Sequence, residues 1–238
     1  MAGIHDIWVY LSSSPLLHLT MTLVAYQVAT FIYARGGHNP LLNPVLIAIL
    51  LVVSVLVATG TTYDQYFAGA QFVHFLLGPA TVALAIPLYR QFDKVRNSAL
   101  AVLASVICGS LTAAISALAI GYLLGATQAT LISMAPKSVT TPVAMEISRS
   151  LGGLPSLTAA FVLVTGITGA MLGPPLLNLL GIRDWAARGL AVGTASHGLG
   201  TARAMEANEI AGAFSGLAMG LNALATAILL PLLWHLLT

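Results

Sequence analysis

Residues 97–136 read NSALAVLASVICGSLTAAISALAIGYLLGATQATLISMAP, forty positions without one Asp, Glu, Lys or Arg. A helix that crosses the hydrocarbon core of a bilayer needs about 20 predominantly apolar residues, so this stretch is long enough to span. Residues 150–182 and 210–238 are equally free of charge, as are 7–34, 36–63 and 65–89. Across all 238 residues there are only 9 Lys+Arg and 7 Asp+Glu, 7% charged, where a soluble domain carries roughly 25%. With 58% hydrophobic residues and a mean hydropathy of +0.93, no soluble globule could hide this much apolar surface. The chain reads as an all-α polytopic membrane protein, one transmembrane domain over residues 1–238.

The same arithmetic excludes other classes. A net charge of +2 offers no basic face for nucleic acid. The single cysteine, Cys108, rules out a disulfide framework and a Cys-rich metal site; neither a metal nor a cofactor is expected. Residues 1–14 carry Asp6 and no Lys or Arg, unlike the cationic start of a cleaved signal peptide, so the first span is expected to be kept.

Apolar runs and their breaks suggest seven to eight membrane segments, two or three of them broken helices: Pro15–Tyr33, Pro44–Thr59, Gln65–Tyr89 (interrupted at Gly78-Pro79), Ser98–Leu124, Thr127–Leu151 (interrupted at 136–142), Pro155–Leu180 (with Gly173-Pro174-Pro175 near its end), Trp185–Asn208 (interrupted at 196–200) and Ile210–Leu237. With the N-terminus outside, Arg35, then Arg90, Lys94 and Arg96, then Arg149 would all be cytoplasmic, as positive-inside bias favours. Continued alternation puts Arg183 outside, so either one broken segment is re-entrant or the rule fails once. An internal repeat is also suggested. At an offset of 57, Gln71, Pro79, Thr81 and Val82 face Gln128, Pro136, Ser138 and Val139; at 60, Thr141–Glu146 faces Thr201–Glu206. In a chain this rich in Ala and Leu such matches also arise by chance. Interrupted segments in corresponding places are nonetheless a pointer to a transporter's binding site.

Two segments carry chemistry. In residues 133–149, Pro136 and Pro142 each remove a backbone donor. Thr141-Pro142 reads as an N-cap followed by proline at the first helical position. The helix N-terminus so formed is an anion-binding element, with Lys137, Ser138 and Thr140 beside it. Non-helical backbone at membrane depth is tolerated only where protein or a water-filled cavity satisfies it. The plainer alternative is an interfacial loop with a snorkelling lysine. In residues 193–206, Gly198 and Gly200 permit backbone geometry closed to other residues, and Thr201 can cap the helix that follows. Ser196 and His197 lie at this break. Arg203 and Glu206, three apart, share one helical face; mutual neutralisation and ligand contact are both open to them. A lone histidine is more often a packed hydrogen-bonding residue than a ligand, and that alternative stays open for His197.

The stretches Pro136-Lys-Ser-Val-Thr-Thr-Pro142, Arg188-Gly-Leu-Ala-Val-Gly-Thr-Ala-Ser-His-Gly-Leu-Gly-Thr-Ala-Arg203 and Leu77-Gly-Pro-Ala-Thr-Val-Ala-Leu-Ala85 resemble the LrgB/CidB family, and the resemblance covers nearly the whole chain. His197-Gly198 stands where His-Ala is the family's pattern. What the resemblance implies about function is divided. The family includes bacterial antiholin-like modulators of murein hydrolase activity, the C-terminal half of the plant plastid glycolate/glycerate transporter, and members that import pyruvate with an LrgA-type partner. It implies a multi-pass protein of the bacterial cytoplasmic membrane and a separate LrgA-like partner; a homo-oligomer is expected as well.

Two functions are therefore weighed. The first is a secondary transporter of small monocarboxylates (glycolate, glycerate, lactate or pyruvate). Its expected substrate-binding residues are Lys137, Ser138, Thr140, Thr141, Ser196, His197, Gly198, Gly200, Thr201, Arg203, Pro79 and Thr81. His197, Glu146 or Glu206 would carry a coupled proton, since titratable groups within a membrane segment are functional candidates by default. The second is an antiholin-like membrane regulator of murein hydrolase activity and lysis. An enzyme is not expected. Ser138 and Ser196 lie near Lys137 and His197, but no third residue evidently orients a base as nucleophilic catalysis requires.

Overall fold

The computed structural model describes residues 15–37, 39, 42–76, 79, 82–83 and 85–237. Residues 1–14 with Asp6, the Gly78 interruption and Thr81 lie outside the described residues. The described elements are all helical: α1 (Pro15–Arg35), α2 (Pro44–Thr59), α3 (Tyr63–Phe75), α4 (Ala85–Arg90), α5 (Phe92–Asn97), α6 (Ala99–Leu123), α7 (Gln128–Met134), α8 (Thr141–Ser150), α9 (Pro155–Leu179), α10 (Trp185–Ala207) and α11 (Glu209–Leu237). Four of them, α1, α6, α9 and α11, are long and apolar enough to cross a membrane. The chain is a multi-pass membrane protein.

Two compact units divide it at Ala83 and Leu84. In the first, α1 packs on α2 and α3. Thr22 and Tyr66 share a hydrogen bond of 2.9 Å, and His18 meets the Tyr66 ring edge-on. Asn43 caps α2 by accepting from the Val45 and Leu46 amides, with Pro44 behind it at a position that needs no donor.

The second unit is built around a close hairpin of α10 and α11. Gly189 and Gly193, one turn apart, lie against the backbone of Ala211 and Ser215: a Cβ on Gly193 would meet the Ser215 carbonyl oxygen and stand 2.8 Å from its Cα. Such small-residue faces let membrane helices approach. Helix α9 lies on α10, and α6 lies on both α10 and α11. Along α6, Val102, Val106, Ser110, Ala114, Ala117 and Gly121 are buried, while Leu100, Leu103, Ile107, Ile115 and Ile120 are exposed. The buried positions, three or four apart, form one stripe with no residue larger than valine, and the exposed large aliphatic residues lie off it, the reverse of a soluble helix.

Two discontinuities shape this unit. Helices α7 and α8 are separated by a turn over 135–140, closed by Lys137 N–H to the Met134 carbonyl and Val139 N–H to the Pro136 carbonyl. Helix α10 is kinked at His197, whose φ of 42° and ψ of −133° are not helical.

Three local expectations are corrected. The N-cap of α8 is Thr140 rather than Thr141, because Thr140 is extended and its carbonyl accepts the first helical bond, from Ala144. The positive φ at the second break belongs to His197 and to neither Gly198 nor Gly200. Gly200 serves close approach instead, since a Cβ there would stand 2.6 Å from the Ser196 Cβ and 2.7 Å from the Val192 Cγ1. Thr201 does not cap a new helix. It lies one turn past the kink and donates to the His197 carbonyl.

Candidate functional site

Within the second unit, α6, α9, α10 and the turn between α7 and α8 line an open cavity of about 790 Å³, a size typical of small-molecule sites. Helix α6 contributes Ser105, Cys108, Gly109 and Thr112, spaced so that they fall on one helical face. Helix α9 contributes Thr165, Thr168 and Gly169, and α10 contributes Thr194 and Ser196. The turn contributes Lys137 and Ser138. Seven lining residues bear hydroxyls, and Lys137 is the one Lys, Arg, Asp or Glu among them.

Lys137 belongs to none of the ion pairs found among the described residues. Glu146, the carboxylate nearest to it in sequence, pairs with Arg149 at 2.7 Å on an exposed face. Ser196 is 1% exposed, and its Oγ has no hydrogen-bond partner in the protein. A buried hydroxyl without a partner costs about 1–3 kcal/mol. Gly169 is what leaves it room, because a Cβ there would collide with the Ser196 Oγ.

His197, next in the chain, turns to α9. Its Nε2 lies 3.0 Å from the Val162 carbonyl, which can only accept, so that nitrogen carries the proton. A Cβ on Gly166 would stand 2.6 Å from the same ring edge. The imidazole is therefore keyed into α9 at a glycine, and these contacts hold a non-glycine residue in left-handed backbone, a conformation that costs about 1–3 kcal/mol.

Asn222 on α11 was not read from the sequence. It is 1% exposed, and its Nδ2 donates to the Ser138 carbonyl at 3.1 Å and the Thr194 carbonyl at 3.0 Å. Its Oδ1 has no protein partner. The signal was present: Asn222 is the one side-chain amide in the charge-free run 210–238, where a polar group needs a reason. Seven residues earlier on α11, Ser215 shares a 2.9 Å hydrogen bond with Thr201.

Of the residues expected at the site, Lys137, Ser138 and Ser196 meet at the cavity, and His197 stands directly behind its wall. Thr140, Thr141, Gly198, Gly200 and Thr201 lie near the discontinuities without lining it. Arg203 pairs with Glu206 at 2.9 Å, its own side chain part-buried and that of Glu206 exposed. Pro79 is exposed in the first unit. Missed were the threonines of α6 and α9. Among the described residues, no three of His, Cys, Asp or Glu gather as a metal site would require.

Comparison with known proteins accords with the motifs at these two discontinuities. The chain is 39% identical to the Bacillus subtilis protein YxaC over 214 residues, covering 90% of this chain and 93% of that one. It is 35% identical to the holin-like protein CidB of Staphylococcus epidermidis over 217 residues, 91% of this chain and 94% of that protein. It is 34% identical to the holin-like protein CidB of Staphylococcus aureus over 218 residues, 92% and 95% of the two chains. No solved structure matches it. The sequence model of the LrgB-like family matches residues 22–236, both discontinuities and every residue lining the cavity included, and the chain belongs to that family.

Proposed function

We propose that this protein is a secondary transporter of small monocarboxylates, with Lys137 as the counter-charge of the carboxylate. One observation carries the reading: a single cation, in no ion pair found among the described residues, lines a cavity whose other polar side chains are seven hydroxyls and the Cys108 thiol. A channel-forming assembly has no need of a lone cation set among hydroxyls. In this reading the four long helices and the shorter α2 cross the bacterial cytoplasmic membrane, and the interrupted segments 127–151 and 185–207 enter it as broken helices. With residues 63–90 that makes eight segments. The reaction is movement of an intact solute and not catalysis.

A second reading is favoured by the names of the relatives, which support it more directly than they support transport. As a holin-like protein the chain would regulate murein hydrolase activity and lysis from within the membrane. The two readings join if lysis responds to a changed flux of metabolites.

Uptake separates them. Purified protein in proteoliposomes is offered labelled glycolate, glycerate, lactate and pyruvate, with and without an imposed pH gradient, alone and with an LrgA-type partner. Saturable uptake is expected. Lys137→Ala should reduce affinity about 10- to 150-fold, the equivalent of a charge-assisted hydrogen bond of roughly 1.5–3 kcal/mol. Lys137→Arg should also impair it, because a planar fork replaces a compact ammonium. No uptake of any of the four in either composition, together with a changed rate of cell-wall hydrolysis on expression, would decide for the holin-like reading.

A further inference from the structure

In a helix, each carbonyl accepts from the N–H four residues on. Four residues beyond Ser138 stands Pro142, which has no N–H. Four residues beyond Thr194 stands Gly198, and the kink at His197 falls inside that turn. Ser138 itself lies in the turn ahead of α8, outside any helical ladder, and each discontinuity falls next to a residue that lines the cavity. The two carbonyls concerned converge on one side chain from a third element: the Nδ2 of Asn222 spends one hydrogen on Ser138, at 3.1 Å, and the other on Thr194, at 3.0 Å.

We propose that Asn222 is the positioning residue of the cavity, a single amide that stands in for backbone donors at both discontinuities and ties them into one unit. Resting on the carboxylate reading, this makes the tie the device that sets Lys137 and Ser138 at a fixed distance from Thr194 and Ser196. The amide is suited to this and few other groups are. Two carbonyl oxygens demand two hydrogens from one atom, which a carboxylate, a hydroxyl or an aliphatic group cannot supply. Full burial keeps water from taking its place.

The test is hydrogen exchange on the whole protein in nanodiscs, which needs no substrate, paired with monocarboxylate binding. Asn222→Leu keeps the bulk and removes both donors. It should accelerate exchange of residues 137–141 and 193–198 together, by roughly tenfold, the scale of one net hydrogen bond, and leave α6 and α9 unchanged. Asn222→Asp, an acceptor facing two acceptors, should do at least as much. Asn222→Gln, with the same two hydrogens on a longer stem, should fall between Leu and wild type, and it carries the test if Asn222→Leu fails to fold. Affinity for the monocarboxylate should fall about tenfold in Asn222→Leu and recover in part in Asn222→Gln. Acceleration of one segment alone, of neither, or of every helix alike overturns the tie. Accelerated exchange with unchanged affinity overturns the positioning role. A wild type that binds none of the four acids overturns the carboxylate reading alone, and exchange still decides whether Asn222 joins the two segments.

Discussion

The Ser196 hydroxyl and the Thr201 hydroxyl differ in what holds them. Thr201 donates to the His197 carbonyl and meets Ser215, so removing it would leave partners unsatisfied. Ser196 Oγ, buried to 1% exposure on the cavity wall, has no partner in the protein to leave behind. Deleting an unpartnered buried polar group relieves desolvation and strands nothing. Ser196→Ala is therefore expected to leave thermal stability unchanged or slightly raised while weakening monocarboxylate binding about tenfold, the equivalent of one hydrogen bond. Melting of the detergent-solubilised protein and equilibrium binding read the two effects separately. A loss of stability with unchanged binding would make Ser196 a packing residue. The neighbouring His197 works differently: its ring on Val162 and Gly166 sets the backbone of the kink, and that backbone faces Ser196 into the cavity.

Helices α10 and α11 form the element pair on which this geometry depends. Gly193 lies against backbone atoms of Ser215, which cannot swing aside as a side chain can. Gly193→Ala should destabilise the protein by about 1–3 kcal/mol, the usual cost of overpacking, seen as a lower unfolding midpoint. Gly198→Ala, whose Cβ would have only the Met219 sulfur nearby, at 3.9 Å, should be near neutral, apart from helix propensity. An equal loss in both would refute the close-packing account. How legible these elements were depended on the physics behind each. Desolvation of charge is coarse and strong, so the charge-free stretches locate the long helices: Pro155–Leu180 in the sequence is α9, Pro155–Leu179. Capping is finer, and with Thr140 and Thr141 offering the same side chain only the backbone decides between them. The kink defeated the glycine rule. The positive φ belongs to a histidine held by contacts with α9, 35 residues away in sequence, where local propensity carries no information. The cavity's threonines escaped notice because hydroxyls in apolar helices commonly bond back to their own turn, as Thr112 does to the Cys108 carbonyl at 2.7 Å.

At the scale of the whole molecule, the question is whether water and solute reach the space behind those hydroxyls. The large aliphatic residues that face outward, Leu100, Ile115 and Ile120 on α6 and Leu172 and Leu176 on α9, suit contact with lipid, which offers no route for an anion. Lys137, Ser138 and Ser196 define another environment on the inside of the same helices. The one cysteine of the chain samples it: Cys108 lines the cavity on the α6 face that bears Ser105, Gly109 and Thr112. A thiol reacts as thiolate, and a thiol in hydrocarbon neither ionises nor meets a charged reagent. In intact vesicles, a membrane-impermeant charged reagent should modify Cys108, and a saturating concentration of the transported monocarboxylate should slow the reaction several-fold. Lys137→Ala should abolish that protection while leaving the unprotected rate within about twofold, because the cavity remains and its occupant is lost. Cys108→Ala is the control that assigns the signal. A thiol that never reacts, whether reagent is inside or outside the vesicle, would make the cavity a lipid-covered groove closed to water. A thiol that reacts at the same rate with and without the acid would leave Lys137 facing water alone, and the holin-like reading would then be the better account of the fold.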